Sequence, residues 1–174
     1  MKEECFEVVD KKGNIIGKAS RKECHRDPNL IHRVAHVLVF NSKKELFLQK
    51  RSKKKDIQPG RWDTSVGGHL NIGETFEEAA YREMHEELGI KEVELVYMYN
   101  YIHQNELESE MVWTYKVIYD GKIKVDQEEI EDGKFWGKDE IRLFLEKEIF
   151  TPNFEEEYQR YLKWSKTGGL GTLI

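Results

Sequence analysis

Cysteine is scarce in this chain. Its 174 residues include two, Cys5 and Cys24, and neither lies in a CxxC or CxxH pattern. That excludes a disulfide framework and a zinc knuckle, and it points to reduced thiols in a cytoplasmic protein. A surplus of base is also missing: 33 acidic residues stand against 28 basic ones, for a net charge of −5. A protein that grips a nucleic-acid backbone leans the other way, so no nucleic-acid partner is expected. A small anionic substrate stays compatible with this charge if a metal supplies the positive field locally. Long apolar runs are absent as well. The start, Met1-Lys2-Glu3-Glu4, is acidic with no apolar stretch behind it, and no segment approaches membrane-spanning length. Neither a signal peptide nor a membrane partner is expected. There is no internal repeat and no low-complexity linker. What remains, 39% hydrophobic and 35% charged residues, suits a single globular domain over residues 1–174 that buries one core.

Local patterns predict short strands at Phe6–Val9 and around Ile15-Ile16, joined by a turn at Lys11–Asn14. Ile31–Phe40 reads as a long strand, and Glu45–Gln49 reads as its hairpin return. A basic run, Lys50–Lys55, leads to a Pro59-Gly60 turn and a strand over Trp62–Val66. Glu74–Leu88 is rich in helix formers, with Gly89 as a left-handed stop. Strands follow at Val93–Ile102, Met111–Tyr119 and Lys134–Trp136, and helices at Lys138–Glu146 and Phe154–Trp164. This order suggests an α/β fold with a mixed sheet covered by helices on both faces.

The chemistry concentrates between Gly68 and Ile90. On a helix, Glu83, Glu86 and Glu87 stand at i, i+3 and i+4 and share one face. Like charges at that spacing repel by a few tenths of a kcal/mol per pair, so the cluster favours a cation. A hard cation such as Mg²⁺ is held by a few carboxylates, water and substrate phosphates. Gly67-Gly68 lets a backbone carbonyl approach the same ion. Arg82, eight residues after Glu74, could pair with it and lock the loop onto the helix. A solvated acidic helix face is the plainer alternative.

The full spacing, Gly68…Glu74…Arg82-Glu83-Met84…Glu86-Glu87…Gly89-Ile90, resembles the Nudix box, G-x5-E-x7-R-E-U-x-E-E-x-G-U, with every specified position filled. The resemblance implies a Nudix-type α/β/α sandwich and a metal-dependent pyrophosphohydrolase. It implies that Glu83, Glu86 and Glu87, with the Gly68 carbonyl, hold Mg²⁺ or Mn²⁺, and that Arg82 supports the catalytic glutamates. It also implies a further acid from a late loop as base or ligand, and Glu129 occupies that place.

A wider resemblance, from about Val8 to Tyr161, is to the type I isopentenyl diphosphate isomerases and their hydrolase-like bacterial relatives. Its landmarks include Gly13, Gly17, His25, His32, Lys50-Arg51, Pro59–Trp62, Val66–His69, Glu108, Glu110 and Thr151-Pro152. It implies a second divalent metal held by His25, His32, His69, Glu108 and Glu110. It also implies phosphate binding by Arg51 and Lys55. Three imidazoles and two carboxylates suit Mn²⁺, Zn²⁺ or Fe²⁺ better than Mg²⁺. The plainer reading of His32 is a hydrogen-bonded core histidine. The isomerase machinery itself is missing. The proton-carrying cysteine is Gly67 here, the carbocation-sheltering tryptophan is Asn153, and the diphosphate-binding arginine is Glu83. Hydrolysis of a small-molecule diphosphate, in a nucleoside diphosphate derivative, is therefore the expectation. An isomerase and a catalytically inactive binding module stand behind it.

Substrate choice is not written in the box. No proline follows it between Lys91 and Leu107, and the coenzyme A and NADH pyrophosphatase motifs are absent. Tyr99, Tyr101 and Trp113 could stack on a base or pack in the core. A homodimer is compatible with the sequence but not indicated by it.

Overall fold

The computed structural model describes residues 3–55 and 57–168. Its centre is strand β3 (Ile31–Phe40), following β1 (Cys5–Val9), β2 (Ile15–Ser20) and a short helix α1 (Arg21–Cys24). β3 runs parallel to β8 (Ser109–Ile118) over its whole length, from Ile31 opposite Ser109 to Phe40 opposite Ile118. On its other edge it pairs antiparallel with β6 (Val66–His69) and with β1. β7 (Val96–Gln104) pairs antiparallel with β8, and β2 with β1.

The apolar run of β3 follows from its place between two cores. Ala35, Val37 and Val39 pack with Ala79, Ala80, Met84 and Leu88 of α2 (Phe76–Leu88). Val34, Leu38 and Phe40 pack on the opposite side with Ile141 of α3 (Lys138–Phe144) and with Phe154 and Tyr158 of α4 (Pro152–Lys166). The alternation of side chains along a strand sends odd and even positions to different layers. The result is the expected mixed sheet with helices on both faces. No described helix is long and apolar enough to cross a membrane.

Several boundaries differ from the sequence expectation. The β3 return is not a full hairpin: β4 (Leu46–Arg51) meets β3 only at Phe40 opposite Leu46. It then pairs with β5 (Trp62–Asp63) and β9 (Ile130–Trp136), where its buried residues have another sheet edge to pack on. The single strand expected over Trp62–Val66 is two strands, β5 on β4 and β6 on β3. Thr64 and Ser65 turn the chain between them, and buried Ser65 donates to Phe47 O and accepts from Val39 N. α2 begins at Phe76 rather than Glu74. Thr75 caps it, accepting from Glu78 N at 3.2 Å while Glu78 accepts from Thr75 N at 2.9 Å, a reciprocal cap that overrides the helix propensity of Glu74. Gly89 ends it at φ 68°. α1 has four residues and no hydrophobic period long enough to read, although Ser20 and Glu23 form the same kind of cap.

Candidate active site and metal centre

α2 delivers its three glutamates into different surroundings. Glu87 is 8% exposed and accepts from Gln49 Nε2 at 2.9 Å. Burial, then the neighbouring Glu83, pushes its carboxyl well above the usual carboxylate range, so this group calls for a cation beside it. Glu83 is half-buried, and burial raises it too, against the opposing pull of Arg82. Glu86 is exposed. The shared face expected from the sequence is therefore graded from core to solvent.

Gly68 explains how Glu83 fits. A Cβ on Gly68 would lie 2.0 Å from Glu83 Cδ, so only glycine lets that carboxylate rest on the loop backbone. Arg82 ties the pieces together. Its Nε and Nη2 donate to the two Glu74 oxygens, both at 2.8 Å, and Nη2 also donates to His69 O at 3.0 Å. Nη1 reaches Glu83 at 2.6 Å and Glu86 at 3.4 Å. The expected clamp between Glu74 and Arg82 is thus present, and it is bidentate. It holds Glu74 below the usual carboxylate range, with the Arg82 hydrogen bond as the largest cause.

The five residues nominated for a second metal come together. His25, His32 and His69 form one group, and His32, Glu108 and Glu110 another, with the potential ligand atoms of each within 4.8 Å of one another. His25 ends α1, His32 lies in β3, His69 ends β6 and Glu110 lies in β8, directly opposite His32. His32 Nε2 and His69 Nε2 stand 3.7 and 3.8 Å from Glu110 Oε1, beyond hydrogen-bond reach. His25 Nε2, both His32 nitrogens, His69 Nε2 and Glu108 Oε2 are buried without hydrogen-bond partners. Orphaned polar atoms at this density are costly in a folded protein, and as a donor set they fit a divalent ion. The plainer reading of His32 as a hydrogen-bonded core residue does not hold, because neither of its nitrogens is bonded. Burial lowers His25 and brings His69 down to about 3, so both present neutral imidazoles with a lone pair. Glu110 is held down to about 2: burial acts against this, and the nearness and charge of His32 and His69 overcome it. The donor set suits a borderline transition metal.

The phosphate-binding candidates are already paired. Arg51 Nη1 donates to Asp63 Oδ2 at 3.2 Å and its Nε to Ile57 O at 3.1 Å. Lys55 Nζ sits 2.9 Å from Glu129 Oε2, joining a candidate substrate cation to the candidate base.

The sequence profile of the family described as NUDIX domain matches residues 30–164. The chain belongs to this family. Among its relatives, an uncharacterized Nudix hydrolase of Listeria monocytogenes is 31% identical over 152 residues, covering 86% of this chain and 89% of that protein. The isopentenyl-diphosphate Delta-isomerase 2 of Photorhabdus laumondii is 28% identical, covering 94% and 98%. Nudix hydrolase 3 of Arabidopsis thaliana is 45% identical over 93 residues, which is 52% of this chain but only 12% of that much longer protein. The solved structure of a Deinococcus radiodurans protein superposes with a TM-score of 0.76 at 23% identity, covering 90% of this chain and 98% of that one. This is a Nudix domain with relatives named as hydrolases and relatives named as isomerases.

Several residues of this Nudix site escaped the sequence reading. Gln49, which bonds Glu87, was hidden in an alternating strand, and Phe6, stacked on His69 at 4.5 Å, in a short one. Asp63 accepts from both Arg51 and Thr151. Glu157 carried a signal: it lies in the apolar stripe Phe154, Tyr158, Tyr161 of α4, where a lone acid is out of place. It is 1% exposed and accepts from Thr114 Oγ1 at 2.6 Å, Tyr101 Oη at 3.1 Å and Tyr99 Oη at 3.2 Å. Tyr99 and Tyr101 are therefore core residues and not base-stacking platforms. Trp113 stacks on Phe76.

Proposed function

We propose that this Nudix domain hydrolyses a diphosphate linkage in a small molecule, a nucleoside diphosphate derivative, with Mg²⁺ or Mn²⁺. The observation that carries the reading is the buried Glu87 beside the half-buried Glu83. Both carboxylates are raised by burial, and Glu83 lies on the Gly68 backbone under the Arg82 clamp. Glu83, Glu86, Glu87 and the Gly68 carbonyl would hold the ion. A metal bound there neutralises charge on the diphosphate and makes a water more acidic. Arg82 keeps the glutamates in place through Glu74 and the His69 carbonyl. Glu129 is the candidate base, and Lys55 is poised to exchange its carboxylate for a substrate phosphate. Arg51, at the end of β4, would complete the phosphate contacts. The partner is a small anion; neither nucleic acid nor a membrane enters this reading.

The second part of the reading is a transition-metal centre on His25, His32, His69, Glu108 and Glu110, supported by their orphaned nitrogen and oxygen atoms. Isomerisation is the weaker alternative, because Gly67 has no thiol to move a proton.

The test is chromatographic detection of nucleoside monophosphate released from a panel of nucleoside diphosphate derivatives, with chelator and with Mg²⁺ or Mn²⁺ added back. Loss on chelation and recovery with metal is expected, whereas inactivity across the panel would favour a binding module. Metal analysis of purified protein, wild type against His32→Gln, tests the second centre separately.

A further inference from the structure

A cavity of about 110 Å³ opens beside the catalytic loop, with His36, Arg51, Gly67, His69, Glu110 and Asn153 among its walls. That volume admits a phosphate group and not a nucleotide. One wall has no role in the reading above. His36, on β3, faces Gly67 across the strand pair. Its Nδ1 is bonded to the buried carboxylate of Glu157 on α4. Its opposite edge lies over Gly67, where a Cβ would meet Cδ2 at 3.0 Å and Nε2 at 3.2 Å.

We propose that His36, anchored through Nδ1 by Glu157, presents its Nε2–H into this cavity as a fixed anion-binding group for one phosphate of the substrate.

The arrangement has the parts such a group needs. Glu157 is fully enclosed and already accepts from Thr114, Tyr99 and Tyr101, so its position is set on several sides and the imidazole cannot swing. A buried carboxylate is tolerated only with a cation beside it, and His36 is the charged partner bonded to it. Burial alone would push His36 down, but the charge and bond of Glu157 raise it to about 9, with Glu110 and Asp63 adding to the effect. A ring so held carries protons on both nitrogens at neutral pH, and the second proton points where a ligand can take it. Among the described residues, nothing else accepts from Nε2. Gly67 is then the residue that makes room. A side chain there would press on a ring that Glu157 prevents from retreating. The glycine and the histidine form a matched pair, which gives a physical reason for the missing thiol.

The proposal rests on the diphosphate reading for its ligand. The probe is methylenediphosphonate with Mg²⁺, a non-hydrolysable diphosphate. Asn at position 36 keeps an amide near Nδ1 and loses the Nε2 position, whereas Gln keeps an amide near Nε2. Calorimetry is expected to show His36→Asn weakening probe binding at least tenfold, with His36→Gln and Gly67→Ala weakening it less. A role in supporting Glu157 alone reverses that order, because Asn preserves the contact, and that result would overturn the proposal. Should the variants unfold, the wild-type protein still decides. Its ¹⁵N–¹H histidine spectrum at pH 7.5 should show His36 doubly protonated, with the Nε2 resonance moving on probe addition. A neutral His36, or an unmoved resonance with the probe bound, overturns this inference and leaves the hydrolase reading standing. No probe binding at all overturns the ligand assignment together with the diphosphate reading.

Discussion

Gln49 Nε2 donates to Glu87 Oε2 at 2.9 Å and to Ser65 O at 3.2 Å, so one amide joins α2 to the loop between β5 and β6. Gln49→Leu removes both bonds and leaves a buried carboxylate without its donor. The expected cost is about 1–3 kcal/mol, read as a lowered denaturation midpoint. Added Mg²⁺ should recover part of the loss, because the ion replaces the missing partner. A variant as stable as wild type without metal would show that the amide contributes nothing.

Glu87→Gln separates stability from activity. Turnover should fall by at least about 100-fold, which is roughly 2.7 kcal/mol of barrier. The metal-free protein should become more stable, because a charge disfavoured by burial and by Glu83 has been removed. Glu86→Gln should also lose turnover by orders of magnitude, with a smaller stability change since Glu86 is exposed. Near-normal turnover in either variant would remove α2 from the active site.

Gly68→Ala places a methyl 2.0 Å from Glu83 Cδ. The carboxylate has to leave the loop, so Mg²⁺ affinity and turnover should drop together while the α2 core stays folded. Metal titration by calorimetry alongside circular dichroism checks both halves.

The His36–Glu157 pair sets a pH dependence of stability. His36 is raised from its ordinary 6.5 to about 9 in the folded chain. Below about 6.5 the imidazole is protonated whether folded or unfolded, and its contribution is fully present. As pH rises through about 9 the proton leaves, and stability on the order of 3 kcal/mol is lost. Urea denaturation at pH 7 and pH 10 should show the decrease in wild type and a smaller one in Glu157→Gln. An equal decrease in both would assign it to other groups.

Purified protein should not interconvert isopentenyl and dimethylallyl diphosphate, and Gly67→Cys should not confer the activity, because the added side chain meets His36 at about 3.0 Å. Deuterium incorporation from heavy water into the substrate, above a no-enzyme control, is the contrary result.

The legible parts of the molecule were those set by local chemistry. The helix expected over Glu74–Leu88 announced itself through helix formers and the stop at Gly89, though not its Thr75 cap, and Arg82 with Glu74 through their spacing. The histidine cluster was readable only because the isomerase resemblance named its members. Spacing alone does not bring His25 next to His69; that follows from β1 and β6 pairing in succession along one edge of β3. The split of Trp62–Val66 was illegible because both halves are extended, and only the choice of partner strand differs. Glu157 and His36 lie 121 residues apart. Nothing local ties a lone acid on a helix to a histidine in an apolar strand until the sheet is assembled.

The parallel pairing of β3 with β8 places His32 directly opposite Glu110, while β6 brings His69 against Val34 on the other edge. Strand side chains alternate faces, so a slip of one residue between β3 and β8 turns a ligand away from its partners. Assembly of the cluster is thus a readout of correct sheet registration. Insertions should be harmless in the exposed link around Asn105–Leu107 yet silence the centre when made within β3 or β8, even where the altered chain still folds.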